Sequence, residues 1–144
     1  MDNCYEDTER KDLKRERDRC LYAAYLEALR DPNVKGHRQA INKAIASPTC
    51  RFWISPLQAY RYIMRVKKQE ERPLATGDIR RRIMGEVFRL YEEMREKRAF
   101  KGCSVYFIAS FLVHHEAPEF YLSYDRAYCI INKMKRKRNR GRKM

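Results

Sequence analysis

The sequence predicts an all-α protein made of two tandem copies of a three-helix unit, packed into one compact bundle. Apolar residues recur at helical spacing, and no segment shows the sustained alternation that is typical of a half-buried strand. One stretch is also nearly repeated 68 residues later, as RFWISPLQAYRYIMRVKK (51–68) and EFYLSYDRAYCIINKMKR (119–136). The shared pattern, F-[WY]-[IL]-S-x-x-x-A-Y-x-x-I-x-[KR]-[VM]-K-[KR], indicates internal duplication.

The first repeat is predicted over residues 1–72. Its first helix covers about 13–30 and ends at Asp31, because the residue before a proline is disfavoured in a helix. A short second helix covers about 37–47 and stops at Pro48. The residues that should face the core on these two helices are Leu13, Cys20, Leu21, Ala24, Tyr25, Ala28, Leu29, Ala40, Ile41, Ala44 and Ile45.

The third helix of the first repeat begins with a recognisable capping signal. Ser55 is the predicted N-cap, and Pro56 takes the first helical position, where its missing N–H costs nothing. The apolar stripe of this helix comprises Ala59, Tyr62, Ile63 and Val66. The aromatic residues just before it are expected to wedge between helices as part of the core.

The second repeat is predicted over residues 73–138. Asp78 should cap its first helix, which covers about 78–98. Ser104 starts SVYFIASFLVHH, whose apolar residues lie nearly all round a helix, so this segment should be the most buried helix of the protein. Ser123 should cap the last helix. The core positions expected on these helices are Ile79, Ile83, Val87, Leu90, Tyr91, Met94, Ala127, Ile130, Ile131 and Met134.

The charge of the chain indicates a polyanionic partner. The chain contains 33 Lys and Arg residues and 19 Asp and Glu residues, which gives a net charge of +14 and a pI near 9.8. The excess is uneven, because residues 1–36 carry a net −1 whereas residues 37–76 and 111–144 carry +6 each. Nucleic acid is the first candidate partner and an anionic membrane the second, since a large surplus of one sign is costly unless a polyanion balances it.

The basic faces of the two third helices are the candidate nucleic-acid-binding surfaces. Residues early in these helices, such as Gln58, Arg61 and Arg126, would meet base edges, because Gln pairs with adenine and Arg with guanine. The later cations would neutralise phosphates. The complete predicted set is Gln58, Arg61, Arg65, Lys67, Lys68, Arg126, Asn132, Lys133, Lys135, Arg136, Lys137, Arg138, Arg140, Arg142 and Lys143.

IASFLVHHEAPEFYLSYDRAYCIINKMKR, from the second repeat, resembles the helix-turn-helix of tryptophan-repressor-like DNA-binding modules, including that of the bacterial replication initiator. The similarity lies in the helix layout and in a Ser-started basic helix. It implies binding of duplex DNA with the third helix in the major groove. The turn departs from the family pattern, because it carries proline and aromatic residues instead of a short glycine-containing turn. The chain also resembles small basic proteins of phages and mobile elements.

The C-terminal end is the most basic segment. Residues 133–144 hold eight Lys or Arg and no acid, so like charges repel one another there. Residues 139–144 are therefore predicted to be a disordered tail that orders on the phosphates of DNA or RNA.

The sequence gives no sign of an enzyme, a cofactor or a metal site. It has no phosphate-binding glycine loop, no H-E-x-x-H and no nucleophile motif, and its His and Cys residues lack zinc-type spacing. The five cysteines are scattered and the N-terminus lacks an apolar leader, so a reduced, cytoplasmic protein without a membrane role is expected.

Two alternatives to DNA binding stay open from the sequence. One is an RNA-binding component of a ribonucleoprotein, in which the same cations clamp an RNA backbone. The other is a structural or adaptor protein of a virion or packaging complex, whose helices bind other proteins. A homo-oligomer or a protein partner is compatible with each of these functions.

Overall fold

The computed structural model of the 144-residue chain describes residues 3–68 and 79–142, with side chains for 10–68 and 79–140. Those residues form six α-helices and one 3-10 turn and contain no strand, so the all-α prediction is confirmed. The helices are α1 (Asn3–Leu29), α2 (His37–Ile45), α3 (Pro56–Lys67), α4 (Ile79–Arg95), α5 (Val105–Leu112) and α6 (Tyr124–Arg142), with the 3-10 turn at Arg98–Phe100. None of the helices described is long and apolar enough to cross a membrane.

The chain divides into two compact units that do not follow the predicted halves. Unit 1 comprises Met1–Thr49 and Ala117–Met144, and unit 2 comprises Cys50–Glu116. Unit 1 therefore contains α1, α2 and α6, whereas unit 2 contains α3, α4 and α5. Each unit takes two consecutive helices from one predicted half and the third helix from the other half. The predicted boundary near residue 72 consequently falls within unit 2.

Unit 1 is a three-helix core in which α1 packs on α2 and α6, and α2 also packs on α6. Leu21 and Tyr25 of α1, Ile41 of α2 and Ile131 of α6 are buried, and Phe120 fills the space before α6. Burial of each such side chain stabilises the fold by about 1.5–3 kcal/mol relative to exposure.

Unit 2 is organised in the same way, with α3 packed on α4 and α5, and α4 packed on α5. Its core includes Ile63 of α3, Val87 of α4 and Ile108 of α5, and Phe52 lies before α3. Four aromatic residues before α3 and α6 are expected to be core wedges. Phe52 and Phe120 are core residues, 1% and 5% exposed, whereas Trp53 and Tyr121 are half-buried.

The segments that precede α3 and α6 make matched backbone hydrogen bonds. The N–H of Phe52 donates to the carbonyl of Val113 at 2.9 Å in unit 2. The N–H of Phe120 donates to the carbonyl of Ile45 at 3.0 Å in unit 1. Each residue of one bond lies 68 positions from its counterpart in the other, which is the offset of the sequence repeat.

Unit 1 also contains an isolated antiparallel bridge between Thr49 and Ala117. Their N–H groups and carbonyls bond reciprocally at 2.9 and 2.8 Å, so two chain segments that are remote in sequence are fixed side by side. Tyr121, a few residues further on, has a φ of 56°. That left-handed conformation is unusual for a bulky side chain, and it redirects the chain into α6.

The predicted serine caps Ser55 and Ser123 are confirmed, and Ser104, which the sequence placed only at the start of its helix, is a cap as well. Ser55 accepts from the N–H of Gln58 at 3.1 Å, and Ser104 accepts from Phe107 at 3.1 Å. Ser123 accepts a hydrogen bond at 3.2 Å in the same way. Each cap stabilises its helix by about 1 kcal/mol because it satisfies an N–H that the helix leaves without a partner. The predicted cap Asp78 lies outside the described residues.

Three expectations about helix surfaces and ends differ from the structure. α5 is not the most buried helix, since only the face that carries Ile108, Ala109 and Leu112 is buried and the opposite face is exposed. The expected core residue Leu29 is exposed, because it ends α1. α6 continues to Arg142, so the residues described within the predicted 139–144 tail are helical; lysine and arginine favour helices, which opposes their mutual repulsion.

Candidate nucleic-acid interface

A basic groove of about 710 Å³ runs along unit 1 between the N-terminal part of α1 and the side of α6. One carboxylate, that of Asp18, is among its described lining residues. The lining cations are Lys11, Lys14, Arg15, Arg17, Arg19, Arg126, Lys133 and Lys137. Eight positive groups around one concave surface attract an anion more strongly than the same charges scattered over a convex surface.

α1 brings its cations to the groove by helical periodicity. Lys11, Lys14 and Arg15 lie at i, i+3 and i+4, so they share one face of the helix. Asp18 falls on the same face, but Arg17 forms an ion pair with it at 3.0 Å. The two partners are 14% and 19% exposed, so water screens this pair less than an ordinary surface pair. The single acidic group of the groove is therefore largely offset.

α6 supplies the opposite wall of the groove. Arg126, Lys133 and Lys137 lie on one face at i, i+7 and i+11, and all three are exposed. The Ser123 cap fixes the first turn of the helix, because the N–H of Arg126 donates to its hydroxyl. These three cations belong to the predicted set, and the structure brings them together with the basic face of α1.

The remaining predicted residues of α6 lie elsewhere. The ammonium of Lys135 donates to the hydroxyl of Tyr25 at 2.9 Å and lies 4.9 Å from the centre of its ring. Lys135 therefore holds α6 against α1. Asn132 is half-buried. Three further predicted residues, Arg136, Arg138 and Arg140, are exposed but are not among the residues that line the groove. The structure describes the backbone of Arg142 but not its side chain, and Lys143 lies outside the described residues.

The predicted residues of α3 belong to unit 2. Arg61, Arg65 and Lys68 line a recess of about 260 Å³ together with Tyr60 and Met64. The other two predicted residues of α3, Gln58 and Lys67, are not among the residues that line this recess. Gln58 is half-buried in the first turn, and the ammonium of Lys67 lies 5.0 Å from the ring centre of Tyr91 on α4.

Lys67 and Lys135 thus make the same kind of contact in the two units. Each is the lysine of the repeated K-[KR] pair, and each lies over a buried tyrosine of the long helix beside it. A cation over an aromatic ring is attracted by the negative face of the ring, although Lys67 is exposed and Lys135 only half-buried. Both lysines are thereby engaged within their own unit.

A partly buried polar chain in unit 1 connects Lys135, Tyr25 and His37. Lys135 donates to the hydroxyl of Tyr25, and this hydroxyl is hydrogen-bonded to Nδ1 of His37 at 2.7 Å. The His37 ring also makes edge contacts with Tyr25 and Tyr128, at centroid distances of 5.3 and 5.7 Å. Burial lowers the pKa of His37 below its ordinary value of 6.5, and the positive charge of Lys135 lowers it further.

The depressed pKa of His37 predicts a pH dependence of stability. Since the folded state binds the proton less tightly than the unfolded state, the contribution of His37 is complete above the unfolded pKa of about 6.5. It is lost as the pH falls from there through the folded-state pKa. We expect the difference in free energy of unfolding between the wild type and His37→Gln to shrink between about pH 7.5 and pH 5, the range over which histidine titrates.

Urea denaturation at a series of pH values measures this difference. His114 and His115 are exposed and are present in both chains, so they cancel. A difference that stays constant or grows on acidification would show that His37 is not the residue whose protonation opposes folding.

Sequence reasoning missed the cations of α1. The first 36 residues carry slightly more acids than bases, and a sum over the segment conceals how each charge is placed around the helix. The signal that could have found them is the stripe of Lys11, Lys14 and Arg15. Helical spacing alone puts these residues on one face.

Neither a metal nor a known relative defines the site. Among the residues that the structure describes, no group of three or more His, Cys, Asp or Glu side chains could hold a metal ion. Comparison of the chain with protein-family models, with curated proteins and with solved structures finds no match. A functional proposal for this chain therefore depends on its own residues.

Proposed function

We propose that this protein binds nucleic acid without catalysing a reaction, and that the phosphate backbone lies in the basic groove of unit 1. The groove carries the proposal, since its described lining includes eight cations and one carboxylate, and only Arg17 among those cations pairs with that carboxylate. The net charge of +14 supports it through long-range attraction of a polyanion.

The dimensions of the groove suit a run of phosphates. Arg126 and Lys137 are separated by 11 residues of α6, which corresponds to about 16 Å along a helix. A strand of B-DNA advances 3.4 Å for each nucleotide, so this length corresponds to roughly four to five steps. The groove can therefore contact several phosphates of one strand at once.

Duplex DNA is the form of nucleic acid that we favour for the groove. The Ser-capped basic helix and the resemblance to tryptophan-repressor-like modules support it. We also propose that the chain arose by internal duplication. The hydrogen bonds of Phe52 and Phe120 support the duplication, as do the lysine–tyrosine contacts of the two units.

A salt series tests the proposal. We expect the full chain to bind random duplex DNA with an affinity that falls steeply as salt rises, because each neutralised phosphate releases counterions. A chain that ends at Lys137 keeps the groove and the contact between Lys135 and Tyr25 but loses four cations. It should still bind, with a log–log slope shallower by up to about 3.6, since each phosphate contact contributes roughly 0.9.

Three results would change the proposed function. Absence of binding by the full chain would contradict it. Binding that disappears in the shortened chain would leave the groove without a role and favour an adaptor protein with a charged end. Structured RNA that outcompetes duplex DNA at equal salt would move the proposal to the ribonucleoprotein alternative.

A further inference from the structure

Unit 2 exposes a row of aromatic side chains. Tyr106, Phe107 and Phe111 of α5 are 48%, 46% and 51% exposed. Phe107 lies 5.0 Å from Phe111, and Phe111 lies 5.6 Å from Phe100 of the 3-10 turn, between ring centres. At the other end, the ring of Tyr106 is 5.9 Å from that of Tyr60 on α3. We call these five rings the aromatic row.

The core of unit 2 does not need the aromatic row. α5 packs on α3 and α4 through the face that bears its three buried residues, Ile108, Ala109 and Leu112. The row lies mainly on the opposite face. Exposed apolar patches of contiguous rings are uncommon on proteins without a binding role, because the exposed area forfeits hydrophobic stabilisation.

Cations accompany two members of the aromatic row, Tyr60 in its recess and Phe100 in the chain. Tyr60 shares its recess with Arg61, Arg65 and Lys68, and no carboxylate is among the described residues that line it. Phe100 lies between Arg98 and Lys101 in the chain, and both of these cations are exposed. The ligand that fits has flat apolar faces joined by anionic groups.

We propose that the aromatic row stacks the unpaired bases of a single-stranded nucleic acid segment, with the cations near Tyr60 and Phe100 on its phosphates. This proposal rests on the proposed nucleic-acid binding. It adds that unit 2 binds the nucleic acid in single-stranded form. Stacking on aromatic rings requires a base whose face is free, and the neighbouring bases cover that face in a duplex. A second copy of this chain fits less well, since its own cations would bring like charges together.

Three labelled probes test the proposal with the full chain, by fluorescence anisotropy at one salt concentration. They are oligo-dT of about 20 nucleotides, which exceeds the site of most single-strand binders, an abasic deoxyribose-phosphate oligomer of the same length, and a mixed-sequence duplex. We expect oligo-dT to bind about tenfold or more tightly than the abasic oligomer, because loss of one stacked base weakens binding by about that factor.

The double variant Phe107→Leu/Phe111→Leu isolates stacking, because leucine keeps much of the apolar volume but lacks a flat face. We expect it to lose the preference for oligo-dT and to keep the wild-type affinity for the abasic oligomer and the duplex. Leu29→Ala is the matched control, since Leu29 is a 46% exposed apolar residue of unit 1. The helical circular dichroism of each variant checks that it folds.

The outcomes separate the two proposals. A chain that binds none of the probes contradicts nucleic-acid binding itself. Equal affinity for oligo-dT and the abasic oligomer, or a leucine variant that still prefers oligo-dT, overturns base stacking while the groove keeps its role. Self-association of the free chain in sedimentation, retained by the leucine variant and abolished by Phe107→Ser/Phe111→Ser, would make the row a protein interface and also overturn it.

Discussion

Phe120→Ala is expected to lower the free energy of unfolding by about 3–5 kcal/mol, which is the usual cost of truncating a buried phenylalanine. Phe120 is 5% exposed, and it packs where α1, α2 and α6 form the core of unit 1. Its N–H bond to Ile45 also fixes the segment that leads into α6. The cavity would therefore open at the point where the discontinuous parts of unit 1 meet.

Chemical denaturation followed by circular dichroism measures this loss. Phe111→Ala is the control, because Phe111 is half-exposed on α5 and its loss should change stability by less than about 0.5 kcal/mol. The counterpart Phe52→Ala should destabilise unit 2 by a similar amount as Phe120→Ala destabilises unit 1. A loss below about 1 kcal/mol for Phe120→Ala would mean that the site collapses around the cavity.

Arg126→Glu/Lys133→Glu is expected to weaken binding of duplex DNA by about 100-fold or more at low salt. Each reversal removes a charged contact that contributes about 1.5–3 kcal/mol and puts a repelling carboxylate in its place. The log–log salt slope should also become shallower by about 1.8, because two phosphate contacts are lost. Anisotropy across a salt series measures both quantities.

The control for this prediction carries the same change of net charge outside the groove. Arg30→Glu/Lys35→Glu alters two exposed cations of unit 1 that do not line the groove. Arg30 is paired only loosely with Glu27, at 3.6 Å with both side chains largely exposed, so little stability is at stake. If both double variants weaken binding equally, the protein attracts DNA by its overall charge and the groove has no special role.

The local features of this fold could be predicted from the sequence. The caps at Ser55, Ser104 and Ser123 depend on a serine followed by a few residues of helix, which is information contained in one short segment. The buried faces of α2, α3 and α4 follow from apolar spacing in the same way. The number of α-helices and the burial of Phe52 could therefore be predicted from the sequence.

The way in which the helices pack together could not be predicted from the sequence, because it depends on contacts between segments that are remote in the chain. Nothing local in α6 indicates that it packs with α1 and α2 and not with the helices just before it. Helical spacing shows the basic stripe of α1, but the groove depends on the pairing of α1 with α6, so the sequence could not show that this stripe lies opposite the cations of α6. The exposed face of α5 escaped prediction for a related reason: an apolar ring at the surface has the same sequence pattern as one in the core.

Because α1 packs with α6, the core of unit 1 cannot be completed until α6 has been synthesised. The ribosome makes α2 up to Ile45 and then about a hundred residues more before α6 ends at Arg142, which takes roughly 5–20 s at typical elongation rates. All of unit 2 is made within that interval, whereas unit 1 still lacks its third helix. Throughout it, the faces of Leu21 and Ile41 have no α6 to cover them. We expect chaperones and proteases to recognise these apolar faces until α6 covers them.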